Sequence, residues 1–109
     1  MDIKLNIILA LSILSGQMLG IVGTPQLKAV VHDHTVELTW TPSTTQGVTY
    51  SVFKGTSSGG ESTTPVVSNL NSLNWTDTDV VSGSTYWYYI ESCTASCSSS
   101  SNEVSATIP

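Results

Sequence analysis

Thr85-Tyr86-Trp87-Tyr88-Tyr89-Ile90-Glu91-Ser92 is the stretch that decides the fold. Side chains of a β-strand alternate between the two faces of its sheet. Tyr86, Tyr88 and Ile90 therefore share one face, and Trp87, Tyr89 and Glu91 share the other. Aromatic and β-branched residues suit a pleated, half-buried surface, so this reads as a long strand with its Tyr-Tyr-Ile face inward. Val81-Ser82-Gly83-Ser84 just before it supplies turn residues.

The same period recurs to either side. Residues 26–31 form a first strand, with Leu27 and Ala29 on one face, and His32-Asp33-His34 makes a turn. Thr35-Val36-Glu37-Leu38-Thr39-Trp40 alternates cleanly, with Val36, Leu38 and Trp40 inward. Pro42 ends that strand because proline cannot donate to a ladder. Residues 48–54 give a third strand with Tyr50 and Val52 inward, followed by a polar loop, GTSSGGESTT, at 55–64 that reads as flexible. Pro65-Val66-Val67 reads as a short edge strand and residues 73–76 as another. Residues 103–108 close the chain, with Val104, Ala106 and Ile108 inward. Short strands separated by turns, with no helical periodicity after residue 25, predict a seven-stranded antiparallel all-β sandwich. Trp40, Tyr50, Val52, Tyr86, Tyr88 and Ile90 are its expected core.

These pieces, taken in order from Pro25 to the end of the chain, resemble the fibronectin type III family. Pro25 and Leu27 are similar to its opening Pro-x-Leu. Val36-Glu37-Leu38-Thr39-Trp40 is similar to its second strand, and Tyr50-Ser51-Val52-Phe53-Lys54 to the Tyr-x-Val-Tyr-Arg of its third. Asp77, followed by Gly83-Ser84-Thr85-Tyr86 and Tyr88-Tyr89-Ile90, is similar to its Asp, Gly-x-x-Tyr and Tyr-x-Val signature. Ser101-Asn102-Glu103-Val104 is similar to the opening of its last strand. The resemblance implies that Tyr86 forms a tyrosine corner, its hydroxyl bonded to backbone just upstream. It also implies that Asp77 organises a turn. Some family members carry Arg-Gly-Asp between the last two strands. Here the loop reads Cys93-Thr94-Ala95-Ser96-Cys97-Ser98-Ser99, so integrin-type binding is not implied.

Composition agrees with the sandwich and limits the partners. The 109 residues suffice for one domain, and charged residues are only 10%. Ser and Thr take the polar positions, as hydroxyl-rich strand faces require and a helical bundle does not. The net charge is −5, with no Arg among the three basic residues. Such a surface repels phosphate backbones, which argues against nucleic acid, and it disfavours anionic lipid for the same reason.

Residues 5–22 read LNIILALSILSGQMLGIV, preceded by Lys4 and closed by Thr24-Pro25. This has the form of a secretory signal, with cleavage after Gly20 or Gly23. A second reading retains it as a hydrophobic helix that anchors or packs, because about 18 apolar residues just span a bilayer. Ser12, Gly16 and Gly20 would then form a small-residue stripe for close helix packing. Residues 1–23 are thus a signal peptide or packing helix, and residues 24–109 the sandwich domain. Membrane contact is expected through this segment alone, and homo-oligomerisation if it is retained. Both readings place the domain outside the cytoplasm, whether secreted, surface-attached or anchored.

Cys93 and Cys97 are the only cysteines. In an exported chain a local disulfide is the simplest reading, with two free thiols as the alternative. A disulfide would stiffen Thr94, Ala95 and Ser96, for recognition or for protease resistance. Phe53, Trp87 and Tyr89 fall on the outward parity of neighbouring strands. They read either as an exposed aromatic stripe that binds protein or glycan, or as surface rings covered by neighbours. Asn74-Trp75-Thr76 matches a glycosylation acceptor. His32 and His34 invite a metal reading, but no further ligand can be placed beside them, so a solvated turn is expected. Asp77 and Asp79 lie close in sequence, yet no nucleophile arrangement or phosphate loop accompanies them. No catalytic residue, metal or cofactor is expected. The functional expectation is an extracytoplasmic adhesion or recognition module. The alternative is a structural subunit of a surface filament, virion or envelope assembly packed through the N-terminal helix.

Overall fold

The computed structural model describes residues 21–109. Ser12, Gly16 and Gly20, and the helix expected around them, lie outside the described residues. Seven antiparallel strands form two sheets. The first sheet contains β1 (Leu27–His32), β2 (Thr35–Trp40) and β5 (Asn74–Asp77), with β2 central. The second runs β4 (Val67–Leu70), β3 (Thr49–Gly55), β6 (Thr85–Cys93) and β7 (Val104–Thr107).

Alternation along the two central strands builds the core. Val36, Leu38 and Trp40 of β2 pack in one core with Tyr86, Tyr88 and Ile90 of β6 and with Tyr50 and Val52 of β3, the neighbour of β6 in the opposite sheet; all are buried. The intervening residues of β2 and β6 are partly exposed, as a strand with one covered face requires. Leu27, Ala106 and Ile108 close the core from the edges.

Turn chemistry follows residue type. Asp33, between β1 and β2, sits at φ 53°. Asp tolerates this left-handed conformation better than most residues. The Tyr86 hydroxyl accepts the Val81 N–H at 3.0 Å and so pins the turn that feeds β6. Asp77 likewise accepts the Asp79 N–H at 3.0 Å. At β4 the structure differs from the sequence reading, which placed a strand at Pro65-Val66-Val67. Pro65 has no N–H to give to a ladder. The strand starts at Val67, once Val66 N–H has met Val52 O at 2.8 Å. Asn69, at φ 60°, then bends this short edge strand, and the register shifts between Tyr50 and Val52.

The chain enters at one pole of the sandwich, between the β2–β3 loop and the β6–β7 loop, and is held there. Gly23 N–H donates to Thr45 Oγ1 at 2.9 Å, and Gly23 O accepts Ser43 Oγ at 2.8 Å and Ser92 Oγ at 2.5 Å. Val22 is buried beside it. A Cβ on Gly23 would lie 2.3 Å from Thr44 Oγ1 and 3.0 Å from its backbone nitrogen. Only glycine, which has no Cβ, fits there without displacement. Residues 22 and 23 are therefore packed into the sandwich that the sequence reading began at residue 24.

Candidate functional site

Two surfaces gather the candidate residues. The first is the entry pole. Cys93 and Cys97 form a disulfide, with S–S 2.06 Å. Within its ring Thr94 N–H donates to Ser96 O at 2.8 Å. Thr94, Ala95 and Ser96 all face solvent. The rest of the loop is tied to β6 by serines: Ser98 N–H to Ser92 O, Ser92 N–H to Ser98 Oγ, Ser101 N–H to Ile90 O, and Ile90 N–H to Ser101 Oγ, at 2.7 to 3.1 Å. Ser92, Ser98 and Ser101 are buried, and each hydroxyl finds a partner. The loop is thus anchored to β6 at Ser98 and Ser101. Beside it the β2–β3 loop is set by Tyr50, whose hydroxyl accepts Ser43 N–H at 2.9 Å. Residues 41–49 and 92–101 contain no charged side chain, so these two loops are hydroxyl-rich, with the Glu91 carboxylate at their edge beside the disulfide.

Asn102 is a residue whose role the sequence reading missed. Its side chain accepts Leu27 N–H and donates to Leu27 O, both at 2.8 Å. It imitates a strand partner for β1 and bridges the two sheets just after the loop. Its partner lies 75 residues away in sequence, so no local pattern marks it.

The second surface is the outward face of the four-stranded sheet. Phe53 and Tyr89 pair across β3 and β6, and their rings stack with centroids 4.7 Å apart and an interplanar angle of 14°. Trp87 follows, opposite Gly55. The exposed aromatic stripe is not what the structure shows. Phe53 is 7% exposed, and Trp87 and Tyr89 are half-buried. The rings of the stack cover one another, and the β3–β4 loop lies over Gly55. A Cβ on Gly55 would meet Gly60 O at 2.5 Å and Glu61 N at 2.7 Å. Burial raises the Tyr89 hydroxyl above its ordinary pKa, and the charges of Glu91 and Glu61 add to this.

The remaining candidates are structural. Lys54 reaches through the opposite face to Asp77, with Nζ to Oδ2 at 2.7 Å, and the same oxygen accepts the Tyr88 hydroxyl at 2.7 Å. Burial and then Asp77 push the Tyr88 hydroxyl far above the usual range. Asp77 is thus fully engaged, and Asp79 is exposed. His32 Nε2 lies 3.0 Å from Glu37 Oε1 at the surface, and His34 is exposed. Glu91 lies beside the disulfide, with ligand atoms within 4.8 Å, but both sulfurs are consumed by their bond. Asn74 is exposed on the edge strand β5.

Two antiparallel sheets of this order and register define an immunoglobulin-like sandwich module. A fibronectin type III-like protein from Clostridium thermocellum superposes with a TM-score of 0.68 at 32% identity, covering 79% of this chain and 92% of that one. The chain belongs to the fibronectin type III family. A β-1,2-glucanase from Parabacteroides distasonis contains the same fold, with a TM-score of 0.71, 20% identity and coverage of 83% of this chain but 13% of its own. So does pectate lyase PelI from Erwinia chrysanthemi, solved with tetragalacturonic acid, with a TM-score of 0.67, 20% identity and coverage of 76% of this chain and 28% of its own. These two show the fold alone. No family model and no curated protein sequence matches the chain.

Removal of the disulfide tests how far it sets the entry pole. The ring is closed by residues four apart in sequence. Such a ring restricts the unfolded chain by about 2 kcal/mol on the entropy model. The double variant Cys93→Ser, Cys97→Ser is expected to lose about that much in urea denaturation. A loss below about 0.5 kcal/mol would mean that the serine hydrogen bonds hold the loop unaided.

Proposed function

We propose that this protein is a non-catalytic extracytoplasmic recognition module that binds protein or glycan through its hydroxyl-rich entry pole. The observation that supports this most is the tethered Cys93–Cys97 loop, whose exposed Thr94, Ala95 and Ser96 stand on a serine-anchored base. A pre-ordered loop loses little entropy on binding. Hydroxyl groups and peptide dipoles suit polar, uncharged ligands, which are recognised by direct hydrogen bonds. The bonded cysteines favour an oxidising compartment. Engagement of Asp77 by Lys54 and Tyr88 favours a structural rather than a catalytic role for that carboxylate. The acidic balance of the chain disfavours nucleic acid.

A second reading has its own observation. Three hydrogen bonds to Gly23 leave no slack between residue 21 and the sandwich. A retained N-terminal segment would join the domain rigidly, as a structural subunit of a filament or envelope requires. Intact mass and light scattering of the native protein separate the two. The recognition reading expects a monomer lacking the residues up to Gly20. A full-length chain in a regular oligomer would replace it with the structural reading.

A further inference from the structure

We propose that the β3–β4 loop is a strap that closes the outward aromatic face of the four-stranded sheet and is latched on Glu103. The loop leaves β3 at Gly55, crosses the sheet and returns to β4. At its crest Ser58 Oγ donates to Glu103 Oε1 at 2.9 Å and Gly59 N–H donates to Glu103 Oε2 at 2.8 Å. Glu103 stands at the start of β7, on the far side of β6 from the loop's own strand. The loop therefore spans Trp87 and Tyr89 to reach it. On its return Gly60 O presses on Gly55, and Ser62 N–H pairs with Lys54 O at 3.1 Å. Ser57 O accepts Gly60 N–H at 3.0 Å and shapes the crest. Gly59 sits at φ 72°. It supplies the left-handed backbone that the crest needs and that glycine adopts freely. A stretch read as flexible from its composition is thus bonded at both ends and at its middle.

The latch contains two carboxyl groups side by side. Glu61 Oε2 is buried without a donor, and Glu61 follows two residues after Gly59, whose N–H holds Glu103, so the two carboxyl groups act on one another. Two ionised carboxylates in contact repel, whereas one shared proton makes a strong hydrogen bond. Glu61 is raised above its ordinary value, first by burial and then by the bond to Glu103. Glu103 is lowered, first by that same bond and then by Gly59 N–H. The other titratable groups facing the pair are Tyr89 and Glu91 of β6, and both are neutral or negative. Lys54 is turned to the opposite face with Asp77.

The sign follows from the two directions. The raised Glu61 favours the closed strap below its unfolded value, and that contribution is lost as pH rises through its folded value. The lowered Glu103 favours closure above its unfolded value, and that contribution is lost as pH falls through its folded value. Closure is strongest between them, in a window that includes the ordinary carboxylate value of 4.5, and weakens toward neutral pH.

Amide exchange of the intact protein, corrected for intrinsic rates, reads this directly at Gly59 and Ser62. Protection is expected to fall about tenfold between about pH 4.5 and about pH 7.5, the worth of one hydrogen bond to a charged group. Contacts between the Gly55 and Gly60 α-protons should weaken in parallel. Glu61→Gln supplies a permanent donor to Glu103, so its protection should persist to neutral pH. Flat protection in the wild type, or an equal fall in Glu61→Gln, would overturn the latch. Restoration of wild-type protection at neutral pH by calcium chloride would also overturn it, in favour of a cation-bridged pair.

Discussion

Asp77→Ala is expected to destabilise the domain by about 3–5 kcal/mol, the loss that follows when one partner of a buried ion pair is removed. Lys54 and Asp77 have side chains only 13% and 3% exposed. The ammonium also donates to Asp79 O at 2.6 Å and lies 4.5 Å from the centroid of the Tyr86 ring. Without the carboxylate, those contacts hold a charge that is largely shielded from water. The Tyr88 hydroxyl, in a fully buried residue, loses its acceptor in the same step, and the Asp79 turn loses its cap. The remedy is to remove the charge as well. Lys54→Met combined with Asp77→Leu should recover a large part of the loss, because an apolar pair of similar volume often replaces a buried ion pair at little cost. Urea denaturation of Lys54→Met, Asp77→Leu and the double variant gives the coupling directly. A loss below about 1 kcal/mol in Asp77→Ala would mean that water enters and solvates Lys54, and that the network does not anchor the two sheets.

The readable and unreadable parts of this chain divide by sequence distance. The β2 and β6 patterns were legible because a strand with one buried face writes its burial into every second residue. Trp40, Tyr50, Tyr86 and Tyr88 could be placed that way. Parity also put Phe53 outward, correctly as geometry. Exposure does not follow from parity when a neighbouring ring covers the position, as Tyr89 covers Phe53. The composition of residues 55–64 suggested a free loop, but its anchor, Glu103, lies 44 and 45 residues beyond Gly59 and Ser58. The three hydrogen bonds on Gly23 come from positions 20, 22 and 69 residues away. Asn102 and Leu27 are further apart still. Apart from Ser58 Oγ on Glu103, each of these is a single polar side chain meeting a backbone group across the fold. Such contacts leave no periodic trace, yet they position both candidate surfaces.

Trp40→Ala is expected to cost about 3–5 kcal/mol, as is usual when a large buried aromatic is truncated. Its effect should extend to the entry pole. Trp40 is 5% exposed, and its ring lies 5.5 Å from that of Tyr50, tilted by 56°. Tyr50 in turn holds Ser43 N–H, and Ser43 Oγ holds Gly23 O. A cavity at Trp40 lets the Tyr50 ring tilt, which loosens the β2–β3 loop and then the peptide of Gly23. Trp40→Phe separates this chain of contacts from simple loss of volume. The Trp40 Nε1 donor is buried without a partner, so phenylalanine sheds an unsatisfied group while still filling most of the site. It should stay within about 1.5 kcal/mol of the parent and keep the loop ordered. Amide exchange at Gly23, corrected for the global stability of each variant, is the discriminating measurement. Faster local opening in Trp40→Ala, with Trp40→Phe unchanged, is expected if the aromatic pair positions the pole. Equal local opening in both would mean that Ser43, Thr45 and Ser92 hold Gly23 without help from the core.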